Sequence, residues 1–401
     1  MNQAAGGHAS AGAITLICFF IAALEGYDIQ AFGVAAPRLV AELGLSAAQQ
    51  GWAAAAAMVG LMVGAFFGGW VADRVGRRPV LTASVAAFGV FSLITAFSQN
   101  YEFLVAARLL AGLGFGGAMA NLIAVATEIS PPHRRAATVT TMFCGFPAGG
   151  AAVSLIARFA DEGFDWRMFF IIGGVLPILL APVVHFMLPE TRPEARIDAD
   201  RRLGPALFGG GRAVATLLVW LAFLLTTTVL NLMLNWLPTL VTAKNLTAAD
   251  GAAGALAFNL TGIIGALVTG RLVDRLGTRW TLTVLYAALA GTMYVLAMAT
   301  GVSPVLVFSG LAGFLVLGAQ FSLYSVAPSL YPPHMRATGS GAALAVARLG
   351  AVAGPLIAGE LRQLGYSAGQ VFIAMIPIAL AAGAAALALS YLGKPYDEQS
   401  R

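Results

Sequence analysis

The sequence predicts an all-α polytopic membrane protein of twelve transmembrane helices, arranged as two pseudo-symmetric six-helix bundles. Three observations predict it. The composition is too apolar for water, twelve apolar runs reach spanning length, and two separate motifs recur at one constant offset.

Of the 401 residues, 59% are apolar and 10% are charged. A soluble globular protein carries about 25% charged residues. A chain this long has too little polar surface to cover itself in water, so the bilayer is the expected solvent. The net charge of +5 does not point to nucleic acid. Lys and Arg sit in short clusters between apolar runs, which is the pattern of cytoplasmic loops rather than of a basic face. Cys18 and Cys144 both lie in apolar runs and read as small core residues, with no disulfide framework and no metal motif. The first apolar run continues through Glu25 and Asp28 without a cleavage site, so no cleavable signal peptide is expected.

At about 20 residues per span, the runs fall at 13–35, 50–71, 79–98, 102–125, 138–159, 167–188, 213–241, 251–272, 280–299, 304–327, 338–359 and 370–392. The longest polar stretch, Pro189 to Arg212, follows the sixth run and reads as a cytoplasmic linker. The expected domains are therefore 1–188, a six-helix bundle, and 213–401, a second one, joined by 189–212. With both termini cytoplasmic, only Arg38, Arg158, Arg167, Lys244 and Arg362 fall outside. Basic residues then favour the inside by about three to one, as the positive-inside rule requires.

The repeat is visible in two places. Gly69, Asp73, Arg74 and Gly76 match Gly270, Asp274, Arg275 and Gly277, each 201 residues apart. The segment from Ser130 (SPPHRRAAT) matches that from Tyr331 (YPPHMRATG) at the same offset. Six spans return the chain to its starting side, so the halves are parallel copies, an arrangement expected of one large transporter class.

The loop Asp73-Arg74-Val75-Gly76-Arg77-Arg78 resembles the signature of the major facilitator superfamily, and the loop at Asp274 is a weaker copy. The resemblance covers essentially the whole chain. Within that superfamily, LEGYDIQAFG in the first span, NLMLNWLPTLV in the seventh and AVARLGAVAGP in the eleventh resemble the aromatic acid:proton symporters, most closely the hydroxyphenylpropionate branch. Many members of that family carry Asp-Gly-x-Asp in the first span, where this chain has Glu25-Gly26-Tyr27-Asp28. The resemblance implies the major facilitator fold and a monomer in a bacterial-type inner membrane. It also implies proton-coupled uptake of a small aromatic carboxylate by alternating access.

A charge at bilayer depth costs at least about 2.5–3.5 kcal/mol, so such residues usually have a partner or a task. Glu25 and Asp28 are one turn apart on one helix face. At the helical rise, Glu25 lies near mid-bilayer, while Asp28 and Arg108 both lie roughly 8 Å from the outer boundary. They can sit level. Proton-coupled superfamily members often set an acid of the first span against an Arg of the fourth, which suggests a switch broken by protonation. The alternative is a static pair; for Glu25 it is a hydrogen-bonded structural acid. Arg348 lies at mid-bilayer with Pro147 at its repeat-equivalent position. Its fork suits a substrate carboxylate, the alternatives being neutralisation of Glu25 or a structural role. In this superfamily the first, fourth, seventh and tenth spans line the cavity. That makes Tyr27, Gln30, Asn231, Asn235, Trp236, Gln320 and Tyr324 candidate substrate contacts, against plain packing or an interfacial belt.

The resemblance also implies a cytoplasmic gate. Asp73, Arg74, Arg77 and Arg78 would latch with a cluster of Glu128, Arg134 and Arg135. In the second half, Asp274, Arg275 and Arg336 repeat the theme, with Ser329 at the position of Glu128. Ordinary positive-inside charge is the alternative. Gly112, Gly114 and Gly117 satisfy G-x-G-x-x-G, but they lie within an apolar span, so they read as helix packing rather than a dinucleotide site. No nucleophile or metal constellation appears, so neither an enzyme nor a cofactor is expected. Pro147, Gly149 and Gly150 match too little of an exporter motif to indicate antiport. Drug or metabolite export is the alternative transport reading, and a membrane sensor or an integral-membrane enzyme lies further off. A membrane potential acts on each charge by about 2.3 kcal/mol per 100 mV, so two protons per monoanion would make uptake potential-assisted and one would make it electroneutral.

Overall fold

Backbone groups in hydrocarbon have no water to bond, so a spanning chain must satisfy them within helices. The computed structural model describes residues 11–129, 135–160, 163–188, 190, 207–209, 211–332 and 335–392. Two compact units divide the chain, Met1–Arg196 and Ile197–Arg401.

The N-terminal unit holds α1 (Ala11–Leu43), α2 (Ala47–Val75), α3 (Arg77–Ala96), α4 (Tyr101–Ile129), α5 (Arg135–Phe159) and α6 (Arg167–Met187). The C-terminal unit holds α7 (Ala213–Thr242), α8 (Ala248–Met298), α9 (Val302–Ser329), α10 (Arg336–Gln363) and α11 (Ala368–Leu392). Among the described residues, eleven helices are long and apolar enough to cross a membrane, where the sequence predicts twelve spans. The difference lies in α8, which runs 51 residues and bends at Gly277, with φ 80° and ψ 158°. It contains both the eighth and the ninth expected spans. Gly277 is the repeat-equivalent of Gly76, which has φ 107° and ψ 157° and separates α2 from α3. A side chain rarely tolerates such a φ, so glycine is needed at both turns.

Helix pairing repeats within each unit. α1 packs on α5, α2 on α4 and α3 on α6; correspondingly, α7 packs on α10, the first half of α8 on α9, and α11 on α8. The repeat extends to single contacts. A Cβ on Gly64 would meet the carbonyl of Leu113, and one on Gly265 that of Phe314. Gly112 faces the carbonyl of Ala57 as Gly313 faces that of Phe258, and Gly149 that of Ala23 as Gly350 faces that of Leu224. Every residue in these three pairs of contacts is displaced by 201. Small residues let backbones touch where lipid offers no hydrophobic drive for association.

Helix ends carry local fastenings. Ser46 and Gln49 form a capping box on α2, and Thr247 and Asp250 form the same device on α8. Glu42 at the end of α1 accepts Trp166 Nε1 at 2.7 Å and both arms of Arg167 at 2.7 and 3.2 Å. After α7, Lys244 Nζ donates to the carbonyls of Ala297 and Ala299, both at 2.9 Å, and burial holds its pKa below the ordinary lysine value.

If the glycine contacts set helix spacing, Gly64→Val and Gly265→Val each overpack a buried seam, an effect of about 1–3 kcal/mol. Both variants are expected to melt several degrees below the parent in detergent. An unchanged melting temperature for either would contradict the close approach.

Candidate functional site

The site begins with charge placement. Arg108 on α4 has no exposed surface, and Asp28 on α1 is 5% exposed. Arg108 Nη1 donates to Asp28 Oδ2 at 2.6 Å, a buried ion pair. The guanidinium also lies 5.2 Å from the ring centroid of Phe32 and 5.8 Å from that of Phe170, close enough for cation–π attraction. Its Nε and Nη2 have no hydrogen-bond acceptor among the described residues. Arg108 is thus enclosed by one carboxylate and two aromatic faces.

Asp28 has a second donor that sequence reading misses. Ser92 on α3 gives its hydroxyl to Asp28 Oδ1 at 2.8 Å. The same hydroxyl lies 3.5 Å from the carbonyl of Phe170 on α6. A serine in an apolar span resembles any small packing residue, and only the fold brings it to an acid 64 positions away. The glycine seam of α3 and α6 holds it there. A Cβ on Gly89 would meet the carbonyl of Gly174, and a Cβ on Gly174 that of Gly89.

Glu25 is 2% exposed. It lines, with Asp28, Ala57, Leu61, Phe88 and Ala111, a cavity of about 10 Å³ inside the N-terminal unit, room for about one water. Tyr27 takes a different direction. A Cβ on Gly173 of α6 would meet its ring at 3.1 Å, and its hydroxyl has no partner among the described residues. Gln30 is 1% exposed and likewise buried.

In the C-terminal unit, Gln320 accepts Thr227 Oγ1 at 3.2 Å and donates to Tyr324 Oη at 3.2 Å. Tyr324 packs on Phe223 and Phe321. Asn231 and Asn235 each donate to the carbonyl one turn back, at 3.1 and 2.9 Å. That leaves the buried Oδ1 of Asn235 without a donor among the described residues. Trp236 Nε1 is committed to the carbonyl of Pro355 on α10, at 3.1 Å. Arg348 on α10 is half-buried and makes no ion pair among the described residues.

Of the expected gate, Asp73 and Arg74 are exposed, and Arg74 covers Trp70 at 3.4 Å from its ring centroid. Arg78 meets Glu190, with Nε 3.8 Å from Oε2 and its backbone N–H 3.5 Å from Oε1, while Arg77 is half-buried. Asp274 and Arg275 are exposed, and Arg336 Nε donates to the carbonyl of Tyr331 at 3.3 Å. Arg134 lies outside the described residues, as do the side chains of Glu128 and Arg135.

Chemically, the N-terminal arrangement can hold a carboxylate against a permanent cation; the C-terminal unit offers amides and the half-buried guanidinium of Arg348. The model of the Major Facilitator Superfamily matches residues 18–355 and 251–401. The chain is 38% identical to the 3-(3-hydroxyphenyl)propionate transporter of Escherichia coli, over 93% of this chain and 92% of that one. It is 32% identical to the 4-hydroxybenzoate transporter PcaK of Pseudomonas aeruginosa, over 93% and 91%, and 33% identical to the gallate transporter of Pseudomonas putida, over 94% and 90%. Among solved structures, a bacterial homologue of the human lysosomal transporter Spinster overlays with TM-score 0.77 at 16% identity, covering 98% of this chain and all of that one. A D-xylose–proton symporter overlays with TM-score 0.73 at 18% identity, covering 97% and 98%; at these identities the likeness concerns fold alone.

Removing one member of a buried ion pair destabilises by roughly 3–5 kcal/mol because the other charge is stranded. Arg108→Met should therefore lower the melting temperature at neutral pH. An unchanged melting temperature would contradict the buried pair.

Proposed function

The chain belongs to the Major Facilitator Superfamily, and from that premise we propose that it takes up small aromatic carboxylates of the hydroxyphenylpropionate or hydroxybenzoate type, driven by protons and by alternating access. Relatives named as transporters of 3-(3-hydroxyphenyl)propionate, 4-hydroxybenzoate and gallate support the substrate class. The observation that carries the proton reading is the buried Asp28–Arg108 pair.

The physics is a competition. Arg108 favours ionised Asp28, whereas burial favours the neutral acid. Protonation removes the attraction that ties α1 to α4 and leaves Arg108 with the faces of Phe32 and Phe170. Glu25, on the same cavity as Asp28, is the second candidate proton carrier. Arg348 in the C-terminal unit is assigned the substrate carboxylate, because a guanidinium fork binds carboxylate bidentately. Gln30, Asn231, Asn235, Gln320 and Tyr324 are assigned polar contacts to the substrate, and Tyr27 and Trp236 aromatic ones. In this reading the domains are 1–188 and 213–401 with 189–212 as linker. The protein works as a monomer with both termini cytoplasmic, and its loop charges at Asp73, Arg74, Arg77, Arg78, Asp274, Arg275 and Arg336 form the cytoplasmic gate with Glu128, Arg134 and Arg135.

In proteoliposomes, external acid should drive accumulation of 3-(3-hydroxyphenyl)propionate or 4-hydroxybenzoate. Asp28→Asn should abolish that accumulation while keeping counterflow. Arg348→Gln should raise the half-saturation concentration at least about tenfold, a loss typical of one charge-assisted contact. Full acid-driven accumulation by Asp28→Asn would refute the proton assignment, and efflux of unrelated cations without aromatic-acid uptake would favour export.

A further inference from the structure

We propose that Ser92 is a positioning residue for proton coupling: its single hydroxyl hydrogen holds Asp28 ionised and passes to the carbonyl of Phe170 when Asp28 is protonated. The proposal rests on the reading of Asp28 as a proton carrier.

The argument starts from hydrogen-bond capacity. A serine hydroxyl has one hydrogen to give. Ser92 is fully buried and has two acceptors in reach, Asp28 Oδ1 at 2.8 Å and the Phe170 carbonyl at 3.5 Å. An ionised carboxylate is much the stronger acceptor, so it takes the hydrogen while Asp28 is charged. Each Asp28 oxygen then has one donor, Ser92 on Oδ1 and Arg108 on Oδ2. When a proton binds Asp28, the carboxyl becomes a donor itself and a weaker acceptor. The Ser92 hydroxyl is then released to turn toward Phe170 and to accept from the acid. No bond other than the Asp28 O–H is made; the serine only rotates its hydrogen.

This rotation links protonation on α1 to α6 by way of α3. The same stretch of α6 supplies Phe170, whose ring faces Arg108, and Gly173, which seats the Tyr27 ring. The seam at Gly89 and Gly174 fixes the distance over which the hydrogen must choose. The ionisable groups around Asp28 are Glu25 and Tyr27 on α1 and Arg108 on α4. Away from their ends, α2, α3 and α6 carry none, and α5 carries only Cys144. Ser92 is the uncharged donor that α3 adds to this set.

The test is the pH dependence of 3-(3-hydroxyphenyl)propionate uptake in proteoliposomes. A hydrogen bond to the ionised form favours that form, so its loss favours the neutral acid. Ser92→Ala should move the half-maximal pH of uptake upward by about one unit, the scale of one hydrogen bond to a charged group. Ser92→Thr, which keeps the hydroxyl, should restore the parental midpoint, and Ser92→Cys, a weaker donor, should fall between. A Ser92→Ala profile with an unmoved midpoint, whether or not the rate falls, overturns the proposal. An equal shift in Ser92→Thr also overturns it, because the hydroxyl is then irrelevant. Asp28→Asn separates the two levels. If it keeps acid-driven uptake, the underlying proton reading fails; if it loses it while Ser92→Ala keeps the parental midpoint, only the Ser92 assignment fails.

Discussion

Arg108 carries a charge that protein surroundings do not remove, and it has no exposed surface. The N-terminal unit is shaped by the need to hold that charge. α1 supplies Asp28 at 2.6 Å, and the rings of Phe32 and Phe170 close the remaining faces. α4 can bring the guanidinium among its neighbours because its glycines let it touch two helices at once. A Cβ on Gly112 would meet α2 at Ala57, and one on Gly114 would meet α3 at Phe88. The glycine pattern that superficially suits a nucleotide loop is therefore a packing surface next to the charge.

The scaffold repeats and the chemistry does not. Three pairs of glycine–carbonyl contacts, and the backbone turns at Gly76 and Gly277, recur 201 residues apart. At that same offset Asp28 becomes Val229 and Arg108 becomes Ser309, while Glu25 becomes Thr226, which hydrogen-bonds Tyr286 at 2.5 Å. The C-terminal unit thus replaces the buried ions with uncharged residues, one apolar and two hydroxyl-bearing. Arg348, in the middle of α10, has Pro147 as its repeat counterpart. The proposed division, with proton chemistry in one unit and anion recognition in the other, follows from where the repeat is broken.

Much of this was legible in the sequence. Helical rise alone put Asp28 level with Arg108, because two rigid helices of known direction leave one unknown, the boundary. The motif offset of 201 residues is also the offset of the glycine contacts that recur within each unit. Single contacts across the bundle were not legible. Ser92 joins Asp28 only because Gly89 and Gly174 bring α3 against α6, and nothing in the local pattern of α3 marks that residue. Tyr27 and Trp236 share the expected helices with the other candidates, yet a rotation about each helix axis decides their neighbours. Tyr27 lies on Gly173, and Trp236 bonds the carbonyl of Pro355. The twelve expected spans became eleven helices because Gly277 bends the chain without interrupting the helical assignment of α8.

The most direct measurement is infrared difference spectroscopy of the reconstituted protein as pH is lowered, read at the carbonyl stretch of a protonated carboxyl group. If the pair of Asp28 and Arg108 is the proton switch, a buried carboxylic-acid band should appear on acidification, respond to addition of an aromatic acid, and be missing in Asp28→Asn. A band that persists unchanged in Asp28→Asn would contradict it and move the proton elsewhere, with Glu25 the next group to examine.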